Sequence, residues 1–212
     1  MFGIHDLALF IVSGFLLNLS PGPDSLLIMT RSAAQGWRAG CVAAWGVGAG
    51  VLVHVLAAAL GLSAVLATSA TAFTVVKLVG AAYLVWVGIG MLRSRAQDAS
   101  VAADAALPPL PYRQIFLQGF LTNALNPKVA IFFLAFVPQF IAPDAPDKPL
   151  AFLVLGLIFD FNAMLWCNAL AVGTALASRR LRIGARASTW LNRAIGGMFV
   201  ALGVRLALSR QG

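Results

Sequence analysis

The sequence predicts an all-α polytopic membrane protein: six transmembrane helices in two inverted three-helix repeats, with helix breaks in spans 1 and 4. Three observations predict it. Of 212 residues, 60% are apolar and 10% charged, with a mean hydropathy of +0.89; soluble domains carry roughly 25% charged residues, so there is too little charge here to cover a water-facing surface. The apolar residues run on for about 20 at a time, the length that crosses a bilayer as a helix, not in the alternating ten-residue pieces of an outer-membrane barrel. Short motifs of the first half recur in order in the second. The abundance of Leu, Ile, Val and Phe excludes a disordered chain.

The first span is expected over about 7–29. The N-terminus, Met1-Phe-Gly-Ile-His-Asp6, has no basic region, so this run reads as a retained span and not a cleaved signal. Between Arg38 and Lys77 lie 38 residues without Asp, Glu, Lys or Arg. One helix of that length would measure about 57 Å, nearly twice the hydrocarbon core of about 30 Å. Two spans are therefore expected, near 40–62 and 73–92, with a turn marked by Ser63, Thr68, Ser69 and Thr71. A polar linker with Asp98, Asp104, Pro108, Pro109 and Pro111 follows. The fourth span is expected at about 115–140. The turn at 142–149 leads to a fifth at about 150–175, and an arginine cluster precedes a sixth at about 194–208. The domain reading is a first repeat over 1–95, a cytoplasmic linker over 96–114 and a second repeat over 115–212, all in one membrane domain.

The net charge of +8 comes from twelve Arg and three Lys against seven Asp, with no Glu. These arginines occupy short breaks between apolar runs, as the positive-inside rule requires; no basic helix interleaved with aromatics is present to follow a nucleic-acid backbone. With the N-terminus outside, the cytoplasmic breaks hold Arg31, Arg38, Arg93, Arg95, Arg113, Arg179, Arg180, Arg182, Arg186 and Arg193, and the outer side only Lys148 and Arg210. Both termini are thus expected outside the cytoplasm.

The repeat shows in Gly14-Phe-Leu-Leu-Asn18 and Gly119-Phe-Leu-Thr-Asn123, in Gly88…Ser94-Arg95 and Gly203…Ser209-Arg210, and in Gly50-x-x-x-His54 and Gly156-x-x-x-Asp160. Each half has an odd number of spans, so the second lies inverted relative to the first, an arrangement typical of secondary transporters. Both halves are interrupted at corresponding places, Ser20-Pro21-Gly22-Pro23-Asp24 and Asn126-Pro127-Lys128. Proline removes a backbone donor and clashes with the carbonyl four residues back. Backbone groups freed at membrane depth persist only where protein or a water-filled cavity satisfies them. Asp24, His54, Lys128 and Asp160 fall inside the expected spans, and a charge at the bilayer centre costs about 2.5–3.5 kcal/mol even on the lenient scale. They are expected to face one shared interior, with Lys128 neutralising an Asp. Asp160 is the strongest candidate for carrying a proton, because desolvation favours a carboxyl's neutral form; His54 and Asp24 are the alternatives.

Gly36-x-x-x-Gly40, Gly46-x-Gly48-x-Gly50 and Gly88-x-Gly90 read as small faces for close helix packing. Such faces serve contacts within one chain and between copies alike, so a homo-oligomer stays open. Cys41 and Cys167 lie singly in apolar runs and read as small packed residues.

The residues resemble those of the LysE/RhtB family of bacterial amino-acid exporters. The resemblance is carried by Pro21-Gly-Pro-Asp24, by Gly36, Arg38, Gly40, Gly46, Gly50, His54 and Gly61, and by Lys77-x-x-Gly-Ala-Ala-Tyr-Leu84 with Gly88. It continues through Gly119-Phe120, Asn123, Asn126-Pro-Lys128 and Phe132-Phe133 to Pro138-Gln-Phe140. It implies an inner-membrane carrier that exports small amino acids or close derivatives, driven by the proton motive force.

The reading is therefore a proton-coupled exporter without a cofactor, whose partners are a small amino acid, protons and the lipid bilayer. An amino acid is a zwitterion and needs an anion partner and a cation partner together. Half-helix N-termini at the breaks suit the carboxylate, aided by Lys128, while Asp24 or Asp160 takes the ammonium. Ser20, Pro21, Gly22, Pro23, Asp24, Asn123, Asn126, Pro127 and Lys128 form the candidate substrate site. A metal or small-cation effluxer is the alternative, disfavoured because no Cys/His/carboxylate cluster has ligand spacing. An intramembrane enzyme built on Ser20 and His54 is disfavoured for lack of an oxyanion-hole pattern, and a thiol–disulfide carrier because neither cysteine has the flanks of a redox pair.

Overall fold

A computed structural model describes residues 2–20, 22–62 and 109–177, with isolated positions between 71 and 93 and between 193 and 204. The fold is all-α: among the described residues the only extended pairing is one antiparallel bridge, Ile4 with Ile141. The helices are α1 (Leu7–Leu19), α2 (Pro23–Gln35), α3 (Trp37–Ala57), α4 (Tyr112–Ala124), α5 (Pro127–Ile131) and α6 (Lys148–Ala177). A π turn, Ala58–Leu62, extends α3, and α5 runs on through a π turn, Phe132–Phe136, and a 3₁₀ turn, Val137–Phe140.

Two helices are long and apolar enough to cross a membrane alone, Trp37–Leu62 and Lys148–Ala177. Two further spans arise if each bent pair counts as one: α1 with α2, inclined at 54°, and α4 with Pro127–Phe140, inclined at 45°. The second and fifth expected spans are thus present, each starting a few residues earlier than expected. The first reaches Gln35, beyond the expected Met29, because Gly36, at φ 85°, is the first residue after Pro23 to leave helical backbone; glycine carries no Cβ to oppose that turn. Pro21, the turn at 63–70, most of the linker and the arginine cluster lie outside the described residues. The described positions within the third and sixth expected spans are helical.

The bundle is organised around α3, which packs most extensively against α4 and next against α6. Glycine makes the α3–α4 crossing possible. A Cβ at Gly46 would strike the Phe116 carbonyl, one at Gly119 the Ala43 carbonyl, and one at Gly50 would lie 2.7 Å from Asn123 Cβ. This close approach replaces the hydrophobic driving force that lipid cannot supply.

The core separates into two clusters. The larger joins α1, the C-terminal half of α3, the Pro127–Phe140 segment and the start of α6, and is rich in phenylalanine; Ala81 belongs to it. The smaller joins α2, the start of α3, α4 and the end of α6 through Ile28, Ala39, Ala43, Ala44, Val47, Ile115, Cys167 and Ala171. Their junction lies at the level of the two helix breaks.

Candidate functional site

Proline and the residues beside it build both breaks the same way. Pro23 and Pro127 each occupy the first turn of a new helix, where a missing N–H costs nothing. Asp24 and Lys128 follow them directly, each one position into its half-helix. Helix α1 therefore stops at Leu19 and α4 at Ala124, leaving carbonyls at their C-termini without helical partners.

Some of them are answered across the repeat, others by the next turn of backbone. Lys128 Nζ donates to the carbonyls of Leu17 and Ser20, both at 3.0 Å, placing a cation on the negative end of the α1 dipole. In the other direction Asn123, in the last turn of α4, donates its side-chain amide to Asp24 Oδ2 at 2.9 Å, and Asn126 donates to the same oxygen at 3.0 Å. Asn126 also caps its own helix, its Oδ1 accepting from Lys128 N at 3.0 Å. His54 Nε2 lies 2.9 Å from the Asn123 carbonyl, which also accepts from Asn126 N at 2.8 Å. A carbonyl only accepts, so Nε2 carries the proton in that bond. Each break is thus held by the residue that opens the other half-helix.

A cavity opens where the breaks meet. It is small, about 30 Å³, room for roughly two waters at about 10–15 Å³ each. Its polar end is formed by Asn18, Ser20, Gly22, Asp24, Ser25, Asn123, Asn126 and Lys128, and its apolar wall by Leu17, Val47, Val51, Val129, Phe159, Ala163 and Cys167. Three buried polar atoms at this chamber have no hydrogen-bond partner: Asn18 Nδ2, Asp24 Oδ1 and Asn123 Oδ1. They comprise one donor and two acceptors, arranged beside a lysine and a carboxylate. Buried polar groups are ordinarily paired, and these three face the cavity beside Lys128 and Asp24.

The expected site residues are mostly brought together, with three differences. Lys128 and Asp24 share the chamber but make no ion pair; among the described residues the one ion pair is His5 with Asp6. The Lys128 ammonium is hydrogen-bonded by helix-end carbonyls and not by a carboxylate, because α1 ends within its reach. His54 stands behind Asn123, stacked on Phe133 at 6.3 Å, and is not part of the lining. Asp160 does not share the interior either. It lies beside Gly48 on the α3–α6 contact, where a Cβ at Gly48 would be 3.3 Å from Asp160 Oδ1, and that oxygen has no hydrogen-bond partner. The lining positions of α6 are 159, 163 and 167, spaced by four, and residue 160 is turned aside from that stripe. Pro23 and Pro127 shape the breaks without lining the cavity, and Pro21 lies outside the described residues.

The sequence reading missed Asn18, Ser25 and the apolar wall. A signal for Asn18 was present, since it is the repeat counterpart of Asn123. The Leu17 and Ser20 carbonyls left no trace, because backbone acceptors carry no residue signature. Cys41 and Cys167 are both free thiols, the latter in the chamber wall.

Away from the chamber an aromatic column leads to the end of the bundle where the N-terminal arm crosses. Phe159 meets Phe132 at 4.7 Å, Phe132 meets Phe136 at 5.0 Å, Phe136 meets Phe140 at 4.9 Å, and Phe10 covers Phe140 at 5.2 Å. His5 N donates to the Phe140 carbonyl and Ala142 N to that of Gly3, pinning the arm over the column.

Long apolar helices, two broken ones and a polar chamber at the breaks define a polytopic α-helical membrane protein. The family model of the LysE type translocators matches residues 15–210, and the chain belongs to that family. It is 35% identical to an uncharacterized membrane protein of Pseudomonas aeruginosa, over 97% of this chain and 96% of that one. It is 32% identical to an uncharacterized membrane protein of Vibrio cholerae, over 98% of each. It is also 29% identical to a leucine efflux protein of an Enterobacter species, over 97% of each. No solved structure matches the chain.

Proposed function

We propose that this protein is a secondary transporter of the bacterial inner membrane that exports small amino acids or close derivatives by proton antiport. The observation that carries the reading is the chamber at the crossed breaks, with a carboxylate, an ammonium and unpaired amide groups at one end and an aliphatic wall at the other. That is a complement to a zwitterion with an apolar side chain. Asp24 Oδ1 receives the substrate ammonium. The N-terminal end of α2, with Asn18 Nδ2 and the third donor of Lys128, receives the carboxylate. Relatedness to a leucine efflux protein supports the same class. Asp160 is assigned the proton because it stands beside the chamber, so loading it need not displace substrate. The inverted arrangement of the two halves, with both termini outside, belongs to the same proposal; the crossed bonding of the breaks and the distribution of arginine support it. The aromatic column then closes the chamber on the outer side.

The test is a panel of inhibitory amino acids and dipeptides on cells with and without this chain, followed by extracellular measurement. Restored growth with accumulation of one amino acid outside supports the reading; no protection and no accumulation across the panel rejects it.

A further inference from the structure

Arg31 is a cation that the chamber does not use. It is 7% exposed. Its Nε and Nη2 both point at one neutral oxygen, Gln118 Oε1, at 3.2 and 3.0 Å, and its Nη1 is buried with no partner. Among the described residues no carboxylate pairs with it. A buried charge is costly unless paired, and a guanidinium offers its donors in a fork shaped for a carboxylate. Here one edge of the fork is held by an amide and the other is vacant.

Its position gives the vacancy a meaning. Arg31 follows Asp24 by seven residues, two turns or about 10 Å along α2, and both reach toward α4: Asp24 to Asn123, Arg31 to Gln118. Gln35, a turn further, exchanges two bonds of 3.0 Å with the backbone of Leu110. The α2–α4 seam is therefore stitched by polar side chains from the chamber to the end of the bundle that carries Arg38 and Arg113. The α3–α4 contact is locked backbone to backbone by glycine, whereas this seam is held by side-chain hydrogen bonds.

We infer that Arg31 is a transit site for the substrate's carboxylate, between the cytoplasmic end of the α2–α4 seam and the chamber. The carboxylate takes the vacant edge as the seam opens and then passes to the chamber, its ammonium meeting Asp24. The inference rests on the amino-acid export reading.

The test uses the full-length protein in oriented proteoliposomes, with initial rates measured from each face. The probes are L-leucine or, failing that, whichever amino acid the growth panel identifies, each beside its α-amide, which lacks the carboxylate. Arg31→Gln is expected to raise KM from the cytoplasmic face about tenfold or more, to leave KM from the outer face within twofold, and to leave the amide unaffected. Arg31→Lys should recover part of the loss. Equal losses from both faces, or equal losses for acid and amide, would mean a structural arginine and overturn the inference. So would an effect that appears only with phosphatidylglycerol in the vesicles, which would assign the guanidinium to a lipid phosphate. Should Arg31→Gln not fold, Gln118→Leu keeps the charge and frees its second edge: a lower cytoplasmic-face KM for the acid supports the inference, and an unchanged or higher one overturns it. A wild-type protein that carries no amino acid rejects the export reading itself, which separates the two failures.

Discussion

Lys128 Nζ donates to the carbonyl of Ser20 at 3.0 Å, so the residue that opens one half-helix closes the helix at the opposite break. Asp24 does the converse through Asn123. Each break combines bonds within its own repeat with a bond from the other. The two halves of the chain are therefore tied to each other at the chamber.

Removing the lysine tests this tie. Lys128→Ala should abolish export and lower stability by about 1–3 kcal/mol, because the Leu17 and Ser20 carbonyls lose the ammonium while Leu17 keeps its bond from Ser20 N. Thermal unfolding in detergent reads the stability and efflux assays the function. An Ala variant that melts like wild type would show that water replaces the ammonium and that the tie is dispensable.

The breaks should matter more for transport than for insertion. Pro23→Ala and Pro127→Ala keep the helix starts but remove the block to a continuous helix. Membrane levels are expected near normal, with export reduced at least tenfold; Pro21→Ala is expected to act likewise. Full export from a Pro21→Ala, Pro127→Ala double variant would reduce the breaks to kinks.

Asp160→Asn should uncouple the carrier without emptying its site, since residue 160 is not part of the chamber lining. Downhill counterflow of substrate should persist in proteoliposomes while the response to an imposed pH gradient disappears. Gradient-driven export at the wild-type rate would transfer the proton to Asp24 or His54.

Glycine packing gives a prediction independent of substrate. A side chain at Gly119 runs into the Ala43 carbonyl, whereas nothing lies within 4 Å of one at Gly61. Gly119→Val should destabilise by about 1–3 kcal/mol or more, as overpacking does, and Gly61→Ala should leave melting unchanged. Equal melting temperatures for the two would contradict the close α3–α4 crossing.

Topology is checked by reporter fusions. Fusions at Asp144 and Gly212 are expected to read outside the cytoplasm, and those at Ala103 and Gly184 inside. A cytoplasmic Gly212 would contradict the antiparallel relation of the halves.

Composition and proline placement determined the class and the location of the helix breaks. Runs of about 20 apolar residues have one low-energy fate, a helix in lipid, and Pro23 and Pro127 cannot sit in mid-helix, so the breaks at 20–24 and 126–128 were legible before any coordinates. The glycines of α3 were legible for the same local reason, since only the absence of Cβ explains their density. Tertiary structure alone decided which groups answer one another. Lys128 was expected to meet a carboxylate and instead caps α1, because the inclined ends of two distant helices bring backbone carbonyls within its reach. Asp160 was expected in the chamber and stands beside it, because one residue along α6 is a turn of about 100°. Arg31 read only as a topological charge until α4 laid Gln118 against it. Sequence patterns report each residue's own preference for lipid, water or helix; the partner of a buried polar group depends on where another segment, a hundred residues away, ends its helix.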